Sequence, residues 1–388
     1  MTSSEIKIDK NIQTGFEQIF VNNDLKDFQI LEVLKNASQN LPIKNKKDLE
    51  IFQKVIDDYE KILKGVKKDE NIFFFNDYDK LEFSRLISDH NKLIRYVIYR
   101  YKYKTYPEKK IIEDYPPCVQ IEPASICNYR CIMCYQSDKT FSEKKNNYMG
   151  FMKFDIFKRL VDELEGNVEA ITFASRGEPT LHKQFPDFLK YCKDKFVAIK
   201  INTNLSTMTE KLATSIFEND VQTIVISSDA AEKENYEKIR VKGVFEKVMK
   251  NLEILFNTKM KFPNSRTIIR VSGVKINDKQ DLNKMKDVYG KFTDSVAFVN
   301  YLPWESSYEN KKNNIESPCT DLWKRLFVWY DGKINPCDYD YKSFLNKYNF
   351  ADKSLKDAWN SEHYNQLRKK HLNKKRSDIF PCDRCNNV

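Results

Sequence analysis

No run of eighteen apolar residues, the length a membrane-crossing helix needs, occurs anywhere in the 388-residue sequence. The opening residues, Met1-Thr-Ser-Ser-Glu-Ile-Lys, also lack the basic stretch and apolar core of a secretory signal. We therefore expect no membrane association and a cytoplasmic location. No compact basic block interleaved with aromatics stands out either. The formal net charge is +10, but the 66 lysines and arginines are scattered among 56 acids, so a solvated lysine-rich surface explains the balance better than a nucleic-acid partner. An anionic small molecule, such as a phosphate or a nucleotide-linked sugar, fits the sign equally well.

What is present is globular. Hydrophobic residues make up 41% and aromatics 13%, and the length suits two or three domains with a large core. Apolar residues recur at three and four in the segments starting at Phe28, Leu49, Leu81 and Leu93, which is helix period. Residues 1–112 thus read as a helical extension, without a candidate metal cluster, and Tyr115-Pro-Pro117 punctuates the join. From Val119 to about Pro303, short apolar strands alternate with amphipathic helices. The strands are expected at Val119–Glu122, Val168–Phe173, Val197–Ile201, Thr223–Ser227, Ile268–Val274 and Ser295–Tyr301. Six β/α repeats imply parallel strands with right-handed crossovers. The fold class is therefore α/β: a partial (β/α)6 TIM barrel over 113–304, with chemistry at the C-terminal ends of its strands.

Nine cysteines in a cytoplasmic chain point to metal or catalysis rather than to disulfides. Three of them, Cys127, Cys131 and Cys134, fall within eight residues just after the first strand. Three thiols can ligate three irons of a [4Fe–4S] cube and leave the fourth open to a small molecule bearing an amine and a carboxylate. Zinc also favours thiolates, though its structural sites commonly pair CxxC knuckles and need a fourth ligand. In this CxxxCxxC motif the sequence resembles the radical S-adenosylmethionine (SAM) enzymes. Met133 stands where that family commonly has an aromatic residue beside the adenine.

The resemblance implies a set of SAM contacts at the strand ends. Ser175-Arg176-Gly177-Glu178-Pro179 resembles the GGE motif that receives the SAM amine, with Arg176 in place of the first glycine. Asn202 and Asn204, and Ser227 and Asp229, occupy the places that bond the ribose or carboxylate. Arg240 resembles the arginine that pairs the carboxylate through its fork of donors, and Val274 lies where adenine rests on apolar backbone. Read without the resemblance, these are equally an ordinary βα turn, helix caps, a surface arginine and barrel core.

The C-terminal region, 305–388, gathers four more cysteines. Cys319 and Cys337 flank an expected hairpin with Asp331-Gly332 as its turn, and Cys382-Asp-Arg-Cys385 follows a capped helix. This resembles the twitch domain, a shortened SPASM domain whose hairpin and helix hold one auxiliary [4Fe–4S] cluster. A structural zinc site is the alternative for the same four thiols. His363 and His371 read as helix-surface residues. Cys118 and Cys192 remain; Cys192 reads as packing, and either is the candidate if a thiol must give back a hydrogen atom.

The resemblance implies two [4Fe–4S] clusters, SAM, a flavodoxin- or ferredoxin-type electron donor, and a 5′-deoxyadenosyl radical that abstracts hydrogen. A fully ligated auxiliary cluster is suited to accepting an electron. The expected activity is dehydrogenation of a sugar, cyclitol or related polyol in natural-product or surface-glycan biosynthesis, similar to aminocyclitol dehydrogenases. A peptide or protein maturase and a redox-neutral sugar epimerase are the alternatives, although the helical extension differs from the strand-rich winged-helix peptide-recognition domain of many peptide-modifying relatives. The string does not rank Glu122, Arg176, Lys200, Lys275 and Glu305 as bases or substrate clamps.

Overall fold

The computed structural model describes residues 16–39, 45–69, 71–277 and 280–387. It divides into two compact units, Val21–Ile112 and a larger one that joins Glu113–Val388 to the stretch ending at Phe20. The first strand, β1 (Phe16–Val21), thus belongs chiefly with the larger unit. Nothing in the helical period of the neighbouring sequence signals it.

The smaller unit is built from α1 (Asp27–Ser38), α2 (Lys46–Leu63), α3 (Asp77–Ser84) and α4 (His90–Lys109). Short polar side chains start three of them: Asn45, Asn76 and Asp89 each accept a hydrogen bond from the first-turn backbone, satisfying donors that a helix leaves open. The apolar stripes then meet, burying Leu34, Phe52, Val55, Tyr59, Leu93 and Val97.

The larger unit carries six parallel strands: β2 (Cys118–Ile121), β3 (Ala170–Phe173), β4 (Ala198–Thr203), β5 (Thr223–Ser227), β6 (Ile268–Lys275) and β7 (Ser295–Asn300). Between them run α5 (Lys139–Ser142), α6 (Phe154–Leu164), α7 (Phe185–Cys192), α8 (Glu210–Glu218), α9 (Lys233–Ile239), α10 (Phe245–Lys259) and α11 (Leu282–Tyr289). After β7 come β8 (Arg325–Val328), β9 (Lys333–Asn335), β10 (Tyr348–Asn349), α12 (Leu355–Trp359) and α13 (Glu362–Leu372). This is the expected partial barrel.

The ten described strands form one sheet, in the order β1-β7-β6-β5-β4-β3-β2-β8-β9-β10. The expected C-terminal hairpin is β8–β9, antiparallel, with Gly332 at φ +84 in its turn. Its first strand also pairs parallel with β2, Val119 opposite Leu326. The hairpin therefore continues the barrel sheet.

Alternation along the strands decides what faces the barrel's inside. Val119, Ile121, Ile171, Phe173, Ile199 and Ile201 join the main apolar core with Phe157, Leu160 and Phe188 of the helices. Their neighbours Gln120, Thr172 and Lys200 lie opposite one another in register. Where a closed TIM barrel packs branched aliphatics, this one presents a polar layer.

Candidate active site

A cavity of about 600 Å³ opens at the C-terminal ends of the strands, and Gln120, Thr172 and Lys200 line its inner part. Cys127, Cys131 and Cys134 line it as well. Each sulfur accepts hydrogen bonds. The Tyr129 N–H (3.4 Å) and Asn204 Nδ2 (3.9 Å) donate to Cys127, Arg240 Nη1 (3.9 Å) to Cys131, and the Gln136 N–H (3.4 Å) to Cys134. Burial raises all three thiols, Cys127 to about 12. They are poor thiolates until a cation or metal compensates them. Surrounding donors of this kind are what a thiolate-bound cluster requires.

The expected SAM contacts are placed unequally. Met133, Gly177, Glu178, Asn202, Asn204, Ser227, Arg240 and Val274 line the cavity, as does Arg176. Asp229 does not; it is fully buried, its carboxylate bridging Arg240 Nη2 (3.0 Å) and the Val274 N–H (2.7 Å). It holds Arg240 and the Val274 backbone in place. Asn202 Oδ1 and Ser175 Oγ are buried without a hydrogen-bond partner, and both residues line the cavity. Unsatisfied polar atoms on a cavity wall suit a polar cofactor.

The Arg176 side chain is engaged within the protein. Its Nε and Nη2 donate to the two carboxylate oxygens of Glu122 (2.8 and 2.6 Å), and Nη1 donates to the Tyr341 carbonyl (2.9 Å). Its guanidinium also lies over the Trp329 ring, 4.3 Å from the centroid. The side chain is thus committed to holding β2 and the C-terminal segment together. Next to it, Gly177 passes so close to the cysteine loop that a Cβ would sit 2.2 Å from the Ala124 carbonyl oxygen and 2.6 Å from that of Ile126. Glu178 then ties the strand ends: it accepts from Thr180 Oγ1 (2.6 Å), Thr203 Oγ1 (2.7 Å) and the Asn204 N–H (2.7 Å).

Of the residues first considered as bases or clamps, Lys200 and Arg176 reach the cavity. Glu122 is spent on Arg176, and Glu305 accepts from the Tyr301 hydroxyl. One further acid that lines the cavity was missed by sequence reasoning. Asp338 lines the cavity directly after Cys337; Gln120 Nε2 donates to it (3.5 Å), and burial pushes it up to about 6. Its place beside a cysteine was the available signal. Trp304, Arg325 and Asn387 also line the cavity.

Cys319, Cys337, Cys382 and Cys385 are each within electrostatic reach of another of the four. The Asn387 N–H donates to Cys385 Sγ (3.3 Å). His371 is not a surface residue: it is buried, and its Nδ1 accepts from the Cys319 N–H (3.2 Å). Among the described residues no three histidine, cysteine or acidic side chains form a group suited to a single metal ion.

The loop that follows the first three cysteines is clamped to the C-terminal segment through Asp138, which accepts from Tyr341 Oη (2.8 Å) and pairs with Lys342 Nζ (2.6 Å). Burial alone would raise this carboxyl, but bonds from Lys342, Thr140 and Tyr341 outweigh it and hold it at about 2, below its ordinary 3.8. A depressed folded value means stability that is full above about pH 4 and lost as pH falls toward 2. Unfolding of the parent and of Asp138→Asn, compared at each pH from 6 to 2.5 (a range of roughly the linkage window), should show the parent's advantage shrinking below about pH 4. A difference constant with pH would contradict the clamp.

The chain matches the radical SAM superfamily over residues 121–287 and the SPASM iron–sulfur cluster-binding domain over residues 319–386. It carries a radical SAM domain followed by a SPASM-type iron–sulfur domain, and its cofactors are [4Fe–4S] clusters and SAM. Over 298 residues, 64% of this chain and 82% of the relative, it is 24% identical to the tungsten-containing aldehyde ferredoxin oxidoreductase cofactor-modifying protein of Pyrococcus furiosus. It is 28% identical over 144 residues to the mycofactocin maturase MftC of Mycolicibacterium smegmatis, covering 37% of this chain and 35% of that one. Among solved structures, native anSMEcpe with bound AdoMet superposes at a TM-score of 0.51 and 17% identity, over 69% of this chain and 88% of that one, a likeness of fold. No described helix is long and apolar enough to cross a membrane.

Proposed function

We propose that this radical SAM enzyme is an oxidoreductase that dehydrogenates a sugar, cyclitol or related polyol in the described cavity. Cys127, Cys131 and Cys134 would hold the SAM-binding cluster, and Cys319, Cys337, Cys382 and Cys385 the auxiliary one. Together the SAM-binding cluster and SAM supply the removal of one hydrogen atom from a substrate carbon. The observation that carries the reading is that one cavity is lined both by the three-thiol loop and by Asp338, adjacent in sequence to Cys337 of the four-thiol set.

That arrangement balances a two-electron oxidation. The C–H hydrogen leaves as an atom on the side of the three thiols. Asp338 would take the hydroxyl proton, and a cluster held by Cys319, Cys337, Cys382 and Cys385 would supply the acceptor for the remaining electron. Gln120 and Lys200 offer hydrogen bonds to further hydroxyls. Cys118 and Cys192 are both buried and neither is among the cavity-lining residues, which weighs against a thiol-dependent epimerase.

The test is to incubate enzyme and SAM with polyols deuterated at one carbon. Deuterium should appear in the 5′-deoxyadenosine, with one ketone formed per label transferred. Turnover with unlabelled 5′-deoxyadenosine would refute abstraction at that carbon. The names of relatives such as the mycofactocin maturase favour one second reading, a maturase acting on a peptide or protein, and label transfer from a precursor peptide but from no polyol would establish it.

A further inference from the structure

Arg376 stands just past α13 with only 1% of its surface exposed. Its Nε donates to the Cys382 carbonyl (3.2 Å), Nη2 to the Cys385 carbonyl (2.6 Å) and Nη1 to that of Ser317 (3.4 Å), two residues before Cys319. One guanidinium thus braces the segments that present three of the four C-terminal thiols. A buried cation is costly unless an anion compensates it. Among the described residues no carboxylate forms an ion pair with Arg376; Asp383, which follows Cys382, pairs with Lys312 and Arg384, and Asp321, two residues after Cys319, pairs with Arg325. The groups it does face electrostatically are Cys319, Cys382 and Cys385.

We propose that Arg376 is the counter-charge of the cluster held by the four C-terminal thiols and sets that cluster's readiness to accept an electron. This rests on the reading of those thiols as an auxiliary cluster site. Four thiolates around iron and sulfide make a buried anion, and reduction adds a further negative charge. A fixed cation beside it stabilises the reduced form more than the oxidised one, and more strongly where water is excluded. Arginine suits the place because its charge is permanent and its planar fork reaches several carbonyls at once, which a lysine ammonium does not. Arg376 is a positioning residue: it touches no substrate, and its effect is on where the electron rests.

The test uses the full chain carrying Cys127, Cys131 and Cys134 all changed to Ala, reconstituted anaerobically so that only the auxiliary cluster gives a signal. Its midpoint potential is read by redox titration with electron paramagnetic resonance. Arg376→Met should lower the reduced fraction at a fixed potential about tenfold, a shift on the order of 59 mV for one electron. Arg376→Lys, which keeps the charge, should retain most of the parent's potential. A potential unmoved in Arg376→Met, or one that falls equally in both variants, would overturn the proposal. If iron is lost, loss in the methionine variant alone supports a charge role, and loss in both overturns it. Failure of the parent itself to hold a second cluster would instead sink the reading on which the proposal rests.

Discussion

Changing Cys127, Cys131 and Cys134 together to alanine is expected to lower the iron content after anaerobic reconstitution from about eight to about four atoms per chain, each cluster contributing four. Formation of 5′-deoxyadenosine should fall to background. The three sulfurs line one cavity and receive separate donors from Tyr129, Asn204, Arg240 and Gln136. No other cysteine is among the residues lining that cavity, so nothing nearby replaces them as ligands. The remaining irons should stay, because the C-terminal thiols are braced independently by His371 and Arg376. Cys118→Ala or Cys192→Ala should leave all the iron in place. Retention of about eight irons in the triple variant would remove the assignment of the first cluster.

Glu122→Gln is expected to cost about 3–5 kcal/mol, the usual penalty for leaving a buried charge without its partner. For a protein of this length that corresponds to a fall in apparent thermal midpoint of about 5 °C. Arg176 and Glu122 have 2% and 0% of their side chains exposed, so water cannot step in. Glu122 also accepts from the Tyr330 N–H (3.0 Å), so the loss reaches the β8–β9 turn. Replacing both partners by methionine should recover much of the stability, since an apolar pair leaves no orphaned charge. A single variant that melts with the parent would mean that the pair does not hold the barrel mouth.

What the sequence made legible, and what it did not, divides along the range of the interactions. The six barrel strands and the helices at Phe154, Phe185, Phe245 and Leu282 could be read from alternation and period, because one buried face is written into a few neighbouring residues. The three-cysteine loop was equally local. The motif around Arg176 was legible, but the partner of its side chain was not: Glu122 lies 54 residues away. The parallel pairing of β8 with β2 spans a still longer separation and leaves no mark on either strand. His371 looked exposed amid lysines, and only the approach of Cys319 to α13 buries it. Asp338 acquires meaning when β8–β9 brings it over the barrel.

The continuity of the sheet from β3 through β2 into β8 bears on how the chain is made. A barrel that does not close leaves an edge, and an unpaired strand edge is a template for another chain's backbone. Here β2, the first barrel strand synthesised, has one side covered by β3 and the other by β8, more than two hundred residues later. During translation the barrel can assemble from β2 through β7 while the outer side of β2 still waits for the hairpin. That interval exposes an apolar strand, Cys-Val-Gln-Ile, to neighbouring nascent chains. The C-terminal segment that brings the second set of cysteines is thus also the barrel's own guard against aggregation, and a chain cut before it would be expected to precipitate rather than merely lose a cluster.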